Sequence, residues 1–254
     1  PSNVGLIAGT LVAAAVGGLV GLLLAFMALR YRANQVIVGV VIVAFCTGMT
    51  TFLNDQVLVP HASLNQTIQA LPIAIPVLSR IPILGPALFD QPYFVYLALA
   101  LAALINFGLF RTRWGLRVRS VGEKPRASET VGINVIRTRY SNVILGGMVA
   151  GIGGATFTIG SGINFGVGMT QGYGFIALAI MIVGRWKPWG AVAGTLLFGF
   201  TLSLAANISV YSSQVAIPSQ FLNALPYMVT IAVVAGLAGR VRAPAADGIP
   251  YSRE

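Results

Sequence analysis

Apolar residues in this chain neither alternate with polar ones nor recur in a one-sided stripe; they run on without interruption. Seven stretches, 4–29, 36–53, 93–110, 141–160, 165–184, 190–210 and 221–239, are predominantly apolar and contain no Asp, Glu, Lys, Arg or His. A helix of about 17–25 such residues crosses the hydrocarbon core of a bilayer. The pattern therefore predicts an all-α fold, a polytopic transmembrane helical bundle of about seven spans forming one membrane domain over residues 1–254. The shortest stretches, 36–53 and 93–110, are long enough for an untilted crossing, whereas 4–29 has room to tilt.

One apolar segment is read differently. LPIAIPVLSRIPILGPALF, residues 71–89, holds Pro72, Pro76, Pro82 and Pro86 with Arg80 near its centre, and four prolines would break a helix repeatedly. Charge gives an independent test, because Lys and Arg collect in cytoplasmic loops. If 71–89 lies flat on the outer surface within an outer loop over 54–92, fifteen of the sixteen Lys and Arg residues fall inside and only Arg80 is left outside. That parity puts the first residue outside and the C-terminus inside. A start at Pro1 that enters an apolar helix at once is expected of a chain whose natural N-terminal portion precedes it. A signal peptide explains 4–29 poorly, since the stretch lacks a basic leader and is too long.

Composition agrees with the membrane reading: mean hydropathy is +0.84 and charged residues make up 9% of the chain, against about 25% in soluble domains. The net charge of +10 follows from the basic inner loops and their attraction to anionic lipid headgroups, so no nucleic-acid partner is inferred. Cys46 is the single cysteine and His61 the single histidine; they read as a packing residue and a solvated loop residue, and no metal site is expected. The chain has no GxxxxGK[ST], HExxH or GxSxG motif, which removes the corresponding nucleotide-binding and hydrolytic chemistries. With no ionisable side chain inside a span there is no candidate proton relay.

Two interruptions carry what functional signal remains. GGMVAGIGGA, 146–155, puts Gly147 and Gly151 in small-xxx-small spacing, with Gly154 a further turn along, and predicts close helix contact. GSGINFGVGMTQGYG, 160–174, breaks the apolar run with glycines and with Asn164, Thr170 and Gln171. It reads either as an outer loop between two helices or as a broken helix lining a path. Asn164, Gln171, Tyr173 and Asn207 are the uncharged candidates for lining a translocation path.

The largest inner loop, 111–140, contains VGEKPRASETVGI, residues 121–133. Pro125 suits the first turn of a helix and Gly132 its stop, which predicts a short helix at 125–131. It would present Ala127, Ser128 and Val131 as a small apolar knob ringed by Glu123, Arg126 and Glu129. Composition leaves open whether this is a docking element or a solvated loop whose arginines hold the topology.

The segment resembles the cytoplasmic coupling segment of permease subunits of ATP-binding-cassette importers, in the branch serving nucleosides, simple sugars and branched-chain amino acids. Against the pattern G-x-x-P-x-A-A-x-x-x-G-I, Gly122, Pro125, Ala127, Gly132 and Ile133 match, and Ser128 replaces the second alanine. RANQVIVG, 32–39, and GYGFIALAIMIVGRWKPWGAVAGTLLFG, 172–199, are also similar to that branch. The resemblance implies a transport subunit rather than an enzyme, in the plasma (inner) membrane of a prokaryote. Gly122, Glu123, Pro125, Arg126, Ala127, Ser128, Glu129 and Gly132 would couple it to an ATPase. ATP and Mg would sit on that separate ATPase subunit, with no cofactor on this chain. The further implied partners are a second permease, the same or homologous, and an extracytoplasmic solute-binding protein on the outer loops. A nucleoside or simple sugar is the expected solute. An ATP-independent channel or secondary carrier, and a structural membrane subunit, are the alternatives from other classes.

Overall fold

A computed structural model describes residues 3–65, 72–74, 90–160, 162, 164–170, 172–211, 228, 231, 232, 235, 236 and 243–251. In chain order the elements are α1 (Asn3–Ala25), α2 (Gln35–Leu53), β1 (Pro72–Ala74), β2 (Asp90–Pro92), α3 (Tyr93–Arg111), α4 (Arg113–Glu123), α5 (Pro125–Thr130), α6 (Val135–Ala155), α7 (Tyr173–Val183) and α8 (Pro188–Tyr211). Single π-turns prolong α1 over Phe26–Arg30, α2 over Asn54–Leu58 and α6 over Thr156–Gly160. Among the described residues four helices are long and apolar enough to cross a membrane, Val4–Arg30, Gln35–Leu58, Tyr93–Arg111 and Val135–Gly160, and two shorter ones, Tyr173–Val183 and Pro188–Leu204, are apolar. The stretch 221–239 lies mostly outside the described residues.

The chain forms two compact units. In the first, built on residues 1–98, 113–171 and 246–254, the central contact is between α1 and α6. A Cβ placed on Gly21 would lie 2.8 Å from the Val143 carbonyl oxygen, and one on Gly147 would lie 3.0 Å from the Gly21 Cα. A Cβ on Gly151 would run into the Ala13 carbonyl. Gly9 meets Ile159 at one end and Gly21 meets Val143 at the other, so the helices are antiparallel, backbone against backbone. Small residues permit this approach in lipid, where dispersion rather than water exclusion drives helix association. Gly154 departs from the expectation: a Cβ there would have nothing within 4 Å, so it takes no part in the close approach.

Near the Gly9 end, Phe94 and Ala155 are buried together and Leu6, Ala13, Leu97 and Ile152 pack on them. The Thr10 hydroxyl donates to the Leu6 carbonyl and shares a hydrogen bond with the Tyr93 hydroxyl. β1 and β2 pair antiparallel, Pro72 opposite Pro92 and Ala74 opposite Asp90. The short ladder is an addition to the all-α expectation; apart from 72–74, the segment 71–89 expected to lie flat falls outside the described residues. Asn65 Nδ2 donates to the Phe165 carbonyl at 3.0 Å and Asn65 Oδ1 accepts from the Phe165 amide at 2.8 Å. That two-way bond ties the turn after α2 to the segment after α6.

In the second unit, built on residues 99–112 and 172–245, α7 and α8 form a tight hairpin. Gly184 and Gly190 touch through their backbones, Pro188 opens α8 at the position where a missing N–H costs nothing, and Arg185 and Trp186 take positive φ of 57° and 58°. The expectation of one spanning helix over 165–184 is corrected here. Helix begins only at Tyr173, and its 11 residues reach about 16 Å, roughly half the hydrocarbon thickness. Gly168 and Gly172, at φ +75° and +79°, adopt a left-handed conformation that a continuous right-handed helix does not contain.

Gly151→Val should therefore lower the thermal midpoint of the detergent-solubilised protein by the equivalent of about 1–3 kcal/mol of overpacking, whereas Gly154→Ala should leave it unchanged or raise it; equal losses for both would contradict the α1–α6 contact. Asn65→Ala should cost about 1–3 kcal/mol locally, read as faster hydrogen exchange at the Phe165 amide, and unchanged exchange would contradict the tie.

Candidate functional site

The loop expected over 111–140 is mostly helical. α4 forms because RWGLRVRSVGE sets Gly115, Val118 and Val121 at three-residue spacing along one inward strip, the first and last buried and Val118 half-buried, while Arg113, Leu116, Arg117 and Arg119 are exposed. Its arginines conceal this amphipathic pattern when they are read only as topology determinants. Lys124 is the corner. It must be extended because a proline follows, and it sits at φ −140°, ψ 80°. Pro125 then starts α5, with the Ser128 amide donating to the Lys124 carbonyl at 3.0 Å.

α5 is stopped as the sequence predicts. Gly132 has φ +83° with open space around it, so its backbone conformation, rather than any lack of room, calls for glycine. The Gly132 amide donates to the Glu129 carbonyl and the Ile133 amide to the Ser128 carbonyl, at 2.9 and 3.1 Å. Two residues later Asn134 caps α6, its Oδ1 accepting from the Arg137 amide at 2.9 Å, and Val135 is buried. Asn34 caps α2 in the same way, accepting from Val36 and Ile37, so RANQVIVG is indeed a helix start.

The knob differs from its expected composition. Ala127 and Val131 are exposed, Val131 to 74%, but Ser128 is buried and its hydroxyl donates to the Lys124 carbonyl at 3.0 Å. A small residue is required there because α5 packs inward through that position, and the hydroxyl satisfies itself on the backbone. Glu123 and Arg126 are exposed, Gly122 and Pro125 are half-buried, and Glu129 is half-buried as well. The exposed surface is therefore Ala127 and Val131 flanked by Glu123, Lys124 and Arg126.

Sequence reasoning missed a neighbour of the α4–α6 connection. Residues 246–251 lie against it: the Ala246 amide donates to the Gly122 carbonyl at 2.9 Å, Arg139 Nη1 donates to the Ile249 carbonyl at 2.9 Å, and the Tyr251 hydroxyl donates to Glu129 Oε2. The Arg139 guanidinium stands 5.8 Å from the centre of the Tyr251 ring, within cation–π range. The only sequence signal was a polar, proline-containing stretch, APAADGIPY, beyond the last apolar span. These contacts bring residues 246–251 against the α4–α6 connection.

The path candidates are dispersed over the chain. Asn164 is exposed beside the Asn65–Phe165 tie in the first unit. Tyr173 opens α7 in the second unit, and Asn207 near the end of α8 is exposed, its Nδ2 donating to the Ser203 carbonyl at 2.8 Å. Within the hairpin they sit at different heights, because Gly194 lies against Ile180 and Asn207 is therefore about 9 Å beyond the level of Tyr173. Gln171 lies outside the described residues. Among the described residues no three His, Cys, Asp or Glu side chains gather as a metal site would require.

Comparison with known proteins bears directly on this arrangement. A family model for the permease component of branched-chain amino acid transport systems matches residues 2–234. The chain is 40% identical over 239 residues to the nucleoside ABC transporter permease protein NupC of Lactococcus lactis subsp. cremoris, covering 94% of this chain and 75% of that protein. It is 38% identical over 243 residues to the guanosine ABC transporter permease protein NupQ of Bacillus subtilis, covering 95% and 76%. It is 32% identical over 231 residues to a putative glucose ABC transporter permease protein, TsgC13, of Haloferax volcanii, covering 83% and 68%. No solved structure gives a significant match. Among the classes that composition left open, these matches select the importer subunit over the channel, the carrier and the structural subunit. With the match running over nearly the whole bundle and through the α4–α6 connection, the chain belongs to the family of transport-system permease components, a transport subunit rather than an enzyme.

Proposed function

We propose that the importer served by this permease subunit carries nucleosides, and that α5 is the element through which its ATPase drives it. The nucleoside reading rests on the names of the two relatives at 40% and 38% identity. The 32% identical glucose permease keeps simple sugars as the competing class. Asn164, Gln171, Tyr173 and Asn207 suit either solute, since amide groups hydrogen-bond a neutral polar molecule and a tyrosine ring can stack on a base.

The coupling role is carried by one observation, the form of α5. It is a proline-started, glycine-stopped single turn that exposes Ala127 and Val131 among charged neighbours. A partner groove can accept so small an apolar surface closely, and the flanking charges can fix its register. ATP and Mg belong to the partner ATPase, whose phosphate-binding loop has no counterpart in this sequence.

α6 supports a route for transmission. Its N-terminus is capped by Asn134, four residues after the last residue of α5, and its far end leads into the segment tied to Asn65. The 26 residues of 135–160 span about 39 Å. Clamped on α1 through Gly147 and Gly151, this helix would move as a rod, so displacement of α5 would reach residues 160–170 on the other side. The complete assembly we propose has the N-terminal end of α1 outside, α5 in the cytoplasm of a prokaryotic cell, two permeases around one path, and a solute-binding protein over the outer loop 54–92.

Ala127→Asp puts an unpaired carboxylate into the docking face and should release the ATPase from the purified permease while leaving membrane insertion unchanged. Unaltered co-purification and unaltered substrate-stimulated ATP hydrolysis would sink the coupling role. Uptake of labelled guanosine by the assembled importer should be competed by other nucleosides and not by glucose; the reverse order would move the substrate to sugars.

A further inference from the structure

The C-terminal segment has no part in the function derived so far, yet it is tied by hydrogen bonds to residues more than a hundred positions earlier in the chain. Its three hydrogen bonds go to three successive parts of the coupling region: the end of α4 through Gly122, α5 itself through Glu129, and the first turns of α6 through Arg139. Gly248, at φ +70°, turns the segment between its first and second attachments. Tyr251 is the terminal anchor. Its hydroxyl reaches the Glu129 carboxylate while its ring faces the Arg139 guanidinium, so one side chain joins α5 to α6 by two different interactions.

We infer that residues 246–251 are a strap that holds the coupling helix in line with α6, and that Tyr251 is a positioning residue for energy coupling. The inference rests on the coupling role proposed above for α5. The physical need is plain. α5 is a six-residue helix joined to α4 and α6 by a single-residue corner at Lys124 and a glycine-containing turn at 131–134. An isolated single turn is not a stable helix, and a flexible joint at either end would let an ATPase push α5 without moving α6. Bridging the joint from outside converts three short elements into one body. The strap does so on the Gly122–Glu129–Arg139 side and leaves Ala127 and Val131 exposed, so an occupied docking face and a closed strap are compatible.

The test uses the full importer in proteoliposomes, with labelled guanosine as the probe and ATP hydrolysis measured in parallel. Tyr251→Phe removes the hydroxyl that bonds Glu129 and keeps the ring; Tyr251→Ala removes both. Each should still co-purify with the ATPase, while guanosine delivered per ATP hydrolysed falls by about tenfold to a hundredfold, the order expected for losing one hydrogen bond to a carboxylate, and falls further for alanine than for phenylalanine. If uptake and hydrolysis drop together with their ratio intact, Tyr251 only supports the fold and the positioning role is overturned. The contact itself is checked separately by Glu129→Cys with Tyr251→Cys in a Cys46→Ser background, where a short thiol crosslinker should join the two positions in the assembled importer; no crosslink overturns the strap. Failure of the two ideas is distinguishable. When Ala127→Asp releases the ATPase but Tyr251→Ala transports at the wild-type ratio, the strap alone is wrong. When Ala127→Asp leaves the ATPase bound, the coupling assignment has failed and the role of the strap falls with it.

Discussion

In lipid, two apolar helices gain nothing by leaving the solvent for each other, so whatever holds α1 to α6 must come from closeness itself. Gly17 and Gly21 on one helix and Gly147 and Gly151 on the other supply it, bringing backbone to backbone where any Cβ would collide. The rest of the first unit is arranged around this seam. At one end it sets Ile159 beside Gly9 and brings Ala155 to Phe94; at the other it brings Val143 of α6 against Gly21 of α1. The proposed transmission along α6 depends on this seam, which holds α6 against α1.

The electrostatic side of the structure follows the same geometry. Arg30, Arg32, the arginines of α4, Lys124, Arg126, Arg137 and Arg139 all lie at the end of the first unit from which α6 starts, away from the Asn65–Phe165 tie. That end carries the cation excess expected of a cytoplasmic face, and residues 246–251 fold back onto it. The proposed docking face of α5 lies at this same end.

Much of this was legible in the sequence, for reasons that differ from element to element. Uncharged runs identified α1, α2, α3, α6 and α8, because excluding charge from hydrocarbon is a composition-level constraint. Pro125 and Gly132 identified α5, because each is tied to a backbone geometry that few other residues adopt. The 165–184 stretch was misread because counting apolar residues is blind to φ; Gly168 and Gly172 turn the chain while remaining as apolar as any helix. Gly154 was placed in the contact by spacing alone, though nothing approaches it within 4 Å of a Cβ. α4 was hidden by its arginines, Ser128 was put on the outer surface when its hydroxyl bonds inward, and Tyr251 could not be found at all, since its partners Glu129 and Arg139 lie more than a hundred residues away. Local rules reported local structure, and the long-range polar contacts needed coordinates.

The central claim is that the α4–α6 connection is where an ATPase engages this permease. The most direct measurement places a photo-crosslinking residue at Val131, exposed on the proposed docking face, irradiates native membranes and identifies the adduct by mass spectrometry. An ATP-binding-cassette ATPase joined at that position is the predicted result. A membrane in which Val131 crosslinks only to lipid or to other segments of the permease, while the importer remains active, would contradict it.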